Sequence, residues 1–384
     1  MITIQDNGFI VDYHLMTDFC RALEKCNPKN DYVYLSYDGA VFSMFSQTVT
    51  ASVIVSLNAT GGKTFGFGVE SGKFLSLWKK LYVGSTIKFK PSREQLIISE
   101  DNISVKFPTV QHIKHYKFPE MITVFGPHVE ELTKALSICE VSVGANKQAP
   151  GILIDNTAPG MCRVVKIGNY SYRMCSCSKQ SFGDVRIVVS DEFCSAVSAL
   201  SKWSKSSSLF GSITALMVSP AKVGAVLSSG VQFYMPTLHD AIPSSYVYDF
   251  RLLPNSLEQV AREGRVYTFS QKRLSEVLDL VAAVIGTEES MLLMEIDGLA
   301  AASGNPVFKI SAKTHDGCEV SELVEALSKG PTDLEPFRVN KSQALLALKS
   351  YEGNLVLIDR LNNPLLVLQD ESGRDVTFLL KAPA

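Results

Sequence analysis

Between residues 71 and 110 the apolar spacing changes once. Phe74, Leu77, Trp78 and Leu81 recur at three and four residues, the period of a helix face, whereas Ile103, Val105 and Phe107 alternate like a strand. The stretch therefore predicts one helix followed by three strands. The same order returns at residues 191–238, where DEFCSAVSALSKW precedes ITALMVS, KVGAVLS and VQFYMPTL, and again from residue 340 to the C-terminus. A long-period repeat of this kind dictates the architecture more strongly than any single motif.

Each copy is preceded by a cousin with the same order, at residues 18–56, 130–176 and 272–314. The reading is an α+β chain of six half-domains, two to a domain, each a helix packed on a small antiparallel sheet. The strand endings PTV, PTL and KAP divide the chain into near thirds, which places domains at 1–122, 123–254 and 255–384. Within the last, LAAAS at 299–303 reads as a strand and residues 323–330 as a short helix.

A length of 384 residues with 46% hydrophobic content suffices for several cores. The eight cysteines form no CxxC pair and no even framework, so they read as reduced thiols, with Cys175 and Cys177 packing on one side of a strand. MITIQDNGFIVDYHL has no basic region leading into an apolar run, and no later stretch approaches a membrane span; a cytoplasmic protein without membrane contact is expected.

Net charge is −2, distributed as +2, +2 and −6 over the three thirds. Tight binding of nucleic acid by charge needs a basic domain, because affinity comes from phosphates neutralised by Lys and Arg. Any nucleic-acid contact here must be local, weak and salt-sensitive, or absent. The candidates lie on helix faces: Arg21 and Lys25 at i, i+4, Lys73 and Lys80 opposite an apolar stripe, Lys134, Lys202 and Lys205, and Lys341 and Lys349 bracketing the last helix. Such faces are ordinarily solvated surface.

Other motifs fail on their surroundings. NATGGKT at 58–64 lacks the leading glycine of a phosphate loop, since Leu57 stands there, and no amphipathic helix follows, so it reads as a turn between strands. His112-x-x-His115 sits between Pro108 and Pro119 with nothing to complete four metal ligands. No nucleophile, base and orienter occur together, and neither an enzyme nor a bound cofactor is expected.

Three tandem domains of two helix-plus-sheet halves resemble the bacterial-type β sliding clamp of DNA polymerase, end to end. NLVLIDRLNNPLLVLQDESGRDVTFLLKAPA is similar to the family's closing pattern, and AIPSSYVYDFRLLP resembles the run that ends its middle domain. Gly168-Asn169-Tyr170-Ser171-Tyr172 replaces the family's Asp-Gly-His-Arg-Leu signature, and Lys381-Ala-Pro-Ala384 its Met-Pro-Met tail, departures that predict a divergent, phage- or mobile-element-encoded member.

The resemblance implies a head-to-tail ring of two chains around duplex DNA, held without regard to sequence, with a clamp loader and a DNA polymerase as partners. It assigns the DNA-facing role to Arg21, Lys25, Lys73, Lys80, Lys134, Lys147, Lys202, Lys205, Arg273, Lys341 and Lys349. The ring joint would use Ile103, Val105 and Phe107 on one side, Val284 and Ile285 on the other. A partner-peptide groove would use Asn169, Tyr170, Tyr172, Pro243, Tyr246, Pro364, Leu379 and Lys381. A monomeric processivity or scaffold protein that does not encircle DNA is the alternative, and a viral structural protein of stacked domains a third reading; DNA retention separates them.

Overall fold

Among its described residues the computed structural model contains six helices: α1 (Tyr13–Cys26), α2 (Ser71–Trp78), α3 (Pro127–Ser142), α4 (Asp191–Ser206), α5 (Gln271–Ile285) and α6 (Lys341–Leu348). Four start directly after a short polar residue whose side chain accepts from an otherwise orphaned backbone N–H. Asp12 Oδ1 takes His14 N at 2.9 Å ahead of α1, and Ser190 Oγ takes Phe193 N at 3.1 Å ahead of α4. Ser270 Oγ takes Arg273 N at 3.5 Å ahead of α5, and Asn340 Oδ1 takes Gln343 N at 3.1 Å ahead of α6. α3 opens on Pro127, whose missing N–H costs nothing at the first helical position.

The structure describes residues 2–5, 8–26, 32–80, 87–92, 94–100, 103–110, 120–125, 127–142, 150–157, 159–168, 171–206, 211–238, 265–286, 290–300, 303–329, 334–348, 351, 353–359, 365–370, 372 and 374–383.

Strands follow helices as the periodicity predicts. β1 (Ile2–Gln5) and β2 (Gly8–Val11) precede α1; β3 (Tyr32–Tyr37), β4 (Val41–Gln47), β5 (Ser52–Asn58) and β6 (Phe65–Glu70) follow it. After α2 come β7 (Ile87–Pro91), β8 (Gln95–Glu100), β9 (Ile103–Pro108) and β10 (Ile122–Phe125). After α3 come β11 (Ile152–Asp155), β12 (Met161–Ile167), β13 (Ser171–Ser178) and β14 (Arg186–Val189), and after α4 come β15 (Ile213–Val218), β16 (Lys222–Leu227) and β17 (Gln232–Pro236). β18 (Arg265–Ser270) leads into α5, which is followed by β19 (Met291–Leu299), β20 (Pro306–Lys313), β21 (Glu319–Glu325), β22 (Leu327–Lys329) and β23 (Phe337–Asn340). β24 (Asn354–Asp359), β25 (Leu365–Asp370) and β26 (Asp375–Pro383) follow α6.

One helix and then at least three antiparallel strands thus occur six times. NATGGKT connects β5 to β6 as expected. Two elements differ from the sequence reading. Residues 323–325 and 327–329 are strand, because β21 pairs with β20 from Lys313↔Glu319 to Val307↔Glu325 and β22 pairs with β18; long-range hydrogen bonding overrides a segment whose local spacing also suits a helix. Of LAAAS, Leu299 ends β19 and Ala300 and Ser303 are not strand; Ala300 N donates to Asn305 O at 2.8 Å and Gly304 N to Ala300 O at 2.8 Å, while residues 301 and 302 lie outside the described residues.

The chain divides into two compact units. The first comprises Met1–Lys134, Gln180–Gly183 and Val189–His239. It holds the five-stranded sheet β1-β2-β7-β8-β9 and the eight-stranded sheet β10-β15-β16-β17-β5-β4-β3-β6. Strands from the first and second thirds share the larger sheet because β17 pairs with β5, Phe233 opposite Val53. Phe9 anchors one core here, its ring 4.7 Å from Phe89, 5.0 Å from Phe65 and 5.1 Å from Phe42. α1 packs against α4, α2 and β5. Its buried Asp18 accepts Gly211 N through both carboxylate oxygens, at 2.9 and 3.1 Å, and burial raises that carboxyl's pKa against its hydrogen bonds. A Cβ on residue 211 would run into Asp18 Oδ2 and come within 2.8 Å of Ser228 Oγ, so a larger residue there would displace the Asp18 carboxylate.

The second unit comprises Ala135–Lys179, Asp184–Val188 and Asp240–Ala384. Its sheet runs β14-β11-β12-β13-β26-β23-β19-β20-β21, with β18, β22, β24 and β25 branching from it. The seam between second-third and third-third strands is β13 on β26, from Ser171↔Leu379 to Cys175↔Asp375. Tyr267, Phe269 and Phe308 meet edge to face in the core beneath α5 and α6. All eight cysteines are free thiols; Cys175 is buried with its Sγ 3.5 Å from Cys139 Sγ, as packing residues would be.

Candidate functional site

α1 buries Leu15, Met16, Phe19, Ala22 and Leu23 and so turns Arg21, Glu24 and Lys25 outward. The Arg21 guanidinium lies 5.1 Å, and the Lys25 ammonium 5.2 Å, from the ring centre of Trp203 on α4. Glu24 bridges the neighbouring helix end, accepting from Arg21 Nη1 at 3.1 Å and Lys79 Nζ at 2.7 Å. The Lys79 hydrogen bond, helped by Arg21, holds the Glu24 carboxyl below its ordinary range. Lys202 and Lys205 flank Trp203 in sequence and are exposed, as are Lys73 and Lys80 on and beside α2, although Lys73 pairs with Glu70 at 2.6 Å. Six of the cations singled out by sequence therefore sit on the outer faces of this one helix group.

The remaining cations behave differently. Lys134 is exposed on α3, a helix carrying one lysine against three glutamates. Arg273 is engaged by Glu276 at 3.5 Å and Glu322 at 3.8 Å. Lys341 is a correction to the sequence reading: it is 4% exposed, and its Nζ donates to the Gly286 carbonyl at 2.8 Å, capping the C-terminal end of α5. A cation held inside the fold cannot face DNA. Lys147 and Lys349 lie outside the described residues.

Of the expected groove, Tyr172 is half-buried on β13 and Lys381 partly exposed on β26, its Nζ 5.9 Å from the Phe337 ring centre. The seam register brings these two strands side by side, Tyr172 opposite residue 378. Leu379 is a correction, 2% exposed within the core because β26 lies between β13 and β25. Asn169, Tyr170, Pro243, Tyr246 and Pro364 fall outside the described residues, as does His112-x-x-His115. Among the described residues no three metal-ligating side chains gather.

Both expected joint surfaces contain a sheet edge. β9 ends the five-stranded sheet, with Ile103 and Val105 partly exposed and Lys106 exposed. β21 ends the largest sheet beside α5, with Glu319, Leu323 and Glu325 exposed. Val284 is 44% exposed on α5, in line with Leu280 at 47% one turn earlier. Phe107 and Ile285 are corrections: Phe107 packs inward opposite Leu96, and Ile285 closes the core under α5.

No family model matches the chain, and no curated protein matches it at a significant level. Solved structures do match, over their full length. The DNA polymerase III subunit beta from Pseudomonas aeruginosa is 13% identical with a TM-score of 0.78, covering 100% of each chain. Caulobacter crescentus pol III beta is 12% identical with a TM-score of 0.78, over 98% of this chain and 99% of that one. A putative DNA polymerase III beta subunit from Eubacterium rectale is 11% identical with a TM-score of 0.73, over 98% and 99%. What is shared at such identity is architecture. The chain is folded, end to end, as a bacterial DNA polymerase sliding clamp.

Proposed function

We propose that two copies of this chain close head to tail into a ring around duplex DNA and tether a replicative DNA polymerase for processive synthesis, after opening by a clamp loader. The observation that carries this is the full-length match: the six helix-plus-sheet halves cover solved clamps from end to end. The three domains would divide near residues 122 and 254. Arg21, Lys25, Lys73, Lys80, Lys202 and Lys205 supply a mildly basic lining, and a topological link needs no more than that, since tight phosphate contacts would stop sliding. A heterologous contact that closes by rotation gives a ring. The edges β9 and β21 would form it, with Lys106 set against the acidic β21. Tyr172 and Lys381 would border the groove for a partner's linear motif.

The test is retention on DNA after loading. A ring stays on nicked circular DNA at high salt and leaves linear DNA through its ends. Loss from both would sink the ring reading and favour a monomeric DNA- or polymerase-binding processivity protein.

A further inference from the structure

The cations of a sliding ring could be spread evenly over its helices or gathered at one place. We infer that in this chain the contact with duplex phosphates is gathered at the α1–α4 pair, where Trp203 acts as the positioning residue for Arg21 and Lys25, and that the third-domain helices take no part. The inference rests on the ring reading above and specifies where that ring touches its DNA.

Helix electrostatics explain only part of the cluster. A cation in the last turn complements the partial negative charge of a helix C-terminus, which accounts for Lys25 on α1 and Lys205 on α4. Arg21, Lys79 and Lys202 are additional, and Glu24 is the carboxylate that answers two of them. A half-buried tryptophan in such a place holds the charged ends of two long side chains near its ring and limits where those charges can sit. Two cations four residues apart, held at similar distances from one ring, form a fixed pair instead of two freely moving charges. Fixed charges meet a phosphate backbone with less ordering on contact.

Elsewhere the same helix roles carry the opposite arrangement. On α5 Arg273 is held by Glu276 and Glu322, and Asp279 is exposed on the same helix. Lys341 of α6 is consumed by the Gly286 carbonyl, and α3 is net acidic. The third of the sequence with net charge −6 thus presents its described helices without a surplus of free cations.

The experiment is titration of a short fluorescent duplex with the full-length protein over a range of salt, read by anisotropy. K25E and K202E should each weaken binding about tenfold at low salt and flatten the salt dependence, whereas K272E on α5 should change it by no more than about twofold. W203A, which removes no charge, should weaken binding like K25E, and W203F should restore most of it. In a W78F background the remaining tryptophan, Trp203, should change its emission when duplex is added. Equal losses from K272E and K25E, or W203A binding as the unaltered protein does, would overturn this inference while leaving the ring intact. An unaltered protein that neither binds the duplex nor stays on circular DNA would overturn the ring reading and this inference together.

Discussion

The Arg173 guanidinium lies 4.1 Å from the centre of the Tyr351 ring, at the seam where β13 meets β26. Arg173 is fully buried, its Nη1 donating to Thr377 Oγ1 at 2.8 Å, and the Tyr351 hydroxyl meets the same Thr377 hydroxyl at 2.9 Å. Tyr351 also donates to Leu368 O at 2.9 Å, so one cation and one phenol join three segments of the second unit. Arg173→Ala should destabilise the protein by about 3 kcal/mol, because it leaves a cavity among polar groups arranged for a cation. Arg173→Lys should recover little of that, since an ammonium cannot both stack and reach Thr377. Urea unfolding of the two variants measures both effects.

Glu24 makes acid stability testable. Its carboxyl is held low by Lys79 and then Arg21, so the folded state binds its proton less readily than the unfolded chain does. The stabilisation is present above the ordinary glutamate range and is lost as pH falls below it through the lower range in which the folded carboxyl titrates. The melting temperature of Glu24→Gln should trail the unaltered protein at neutral pH and converge with it in acid; a gap that persists there contradicts the assignment.

Lys341 should matter for folding and not for DNA. Lys341→Ala leaves the Gly286 carbonyl without its charged donor and should cost about 1–3 kcal/mol. Duplex affinity should be unchanged when measured below the unfolding transition.

The edge assignment predicts that Val105→Asp and Val284→Asp each convert the dimer to a folded monomer, because a charge enters an apolar contact between copies. Sedimentation or light scattering decides this, with circular dichroism to show that the fold persists. A dimer surviving both substitutions would place the joint elsewhere.

For the groove, Tyr172→Ala should weaken binding of the cognate polymerase's tail peptide by about tenfold while leaving the ring closed. Calorimetry at unchanged affinity would remove Tyr172 from the partner surface.

How much of this was readable in advance follows from the range of each interaction. The switch from a three-four spacing to a two-residue spacing is local, and it carried the six-fold order of helix and strands. The caps Asp12, Ser190, Ser270 and Asn340 act over the same short range, each accepting a backbone N–H from the first turn of the helix that follows it. The fold family was legible for the same reason, through the order of parts repeated over the whole chain.

Residue roles depended on partners far away in sequence. Residues 323–325 and 327–329 became strand because β20 and β18 offered hydrogen bonds that a helix would have forgone. Lys341 looked like any helix lysine until the end of α5 supplied a carbonyl for it, and Arg273 until Glu322 on β21 came within reach. Leu379, Phe107 and Ile285 turned inward only once a second strand or a helix closed over them. The periodicity of a segment says which face is apolar. Only tertiary packing decides what covers that face, because the covering residues and the charges they bring are set by chain closure and not by neighbours in sequence.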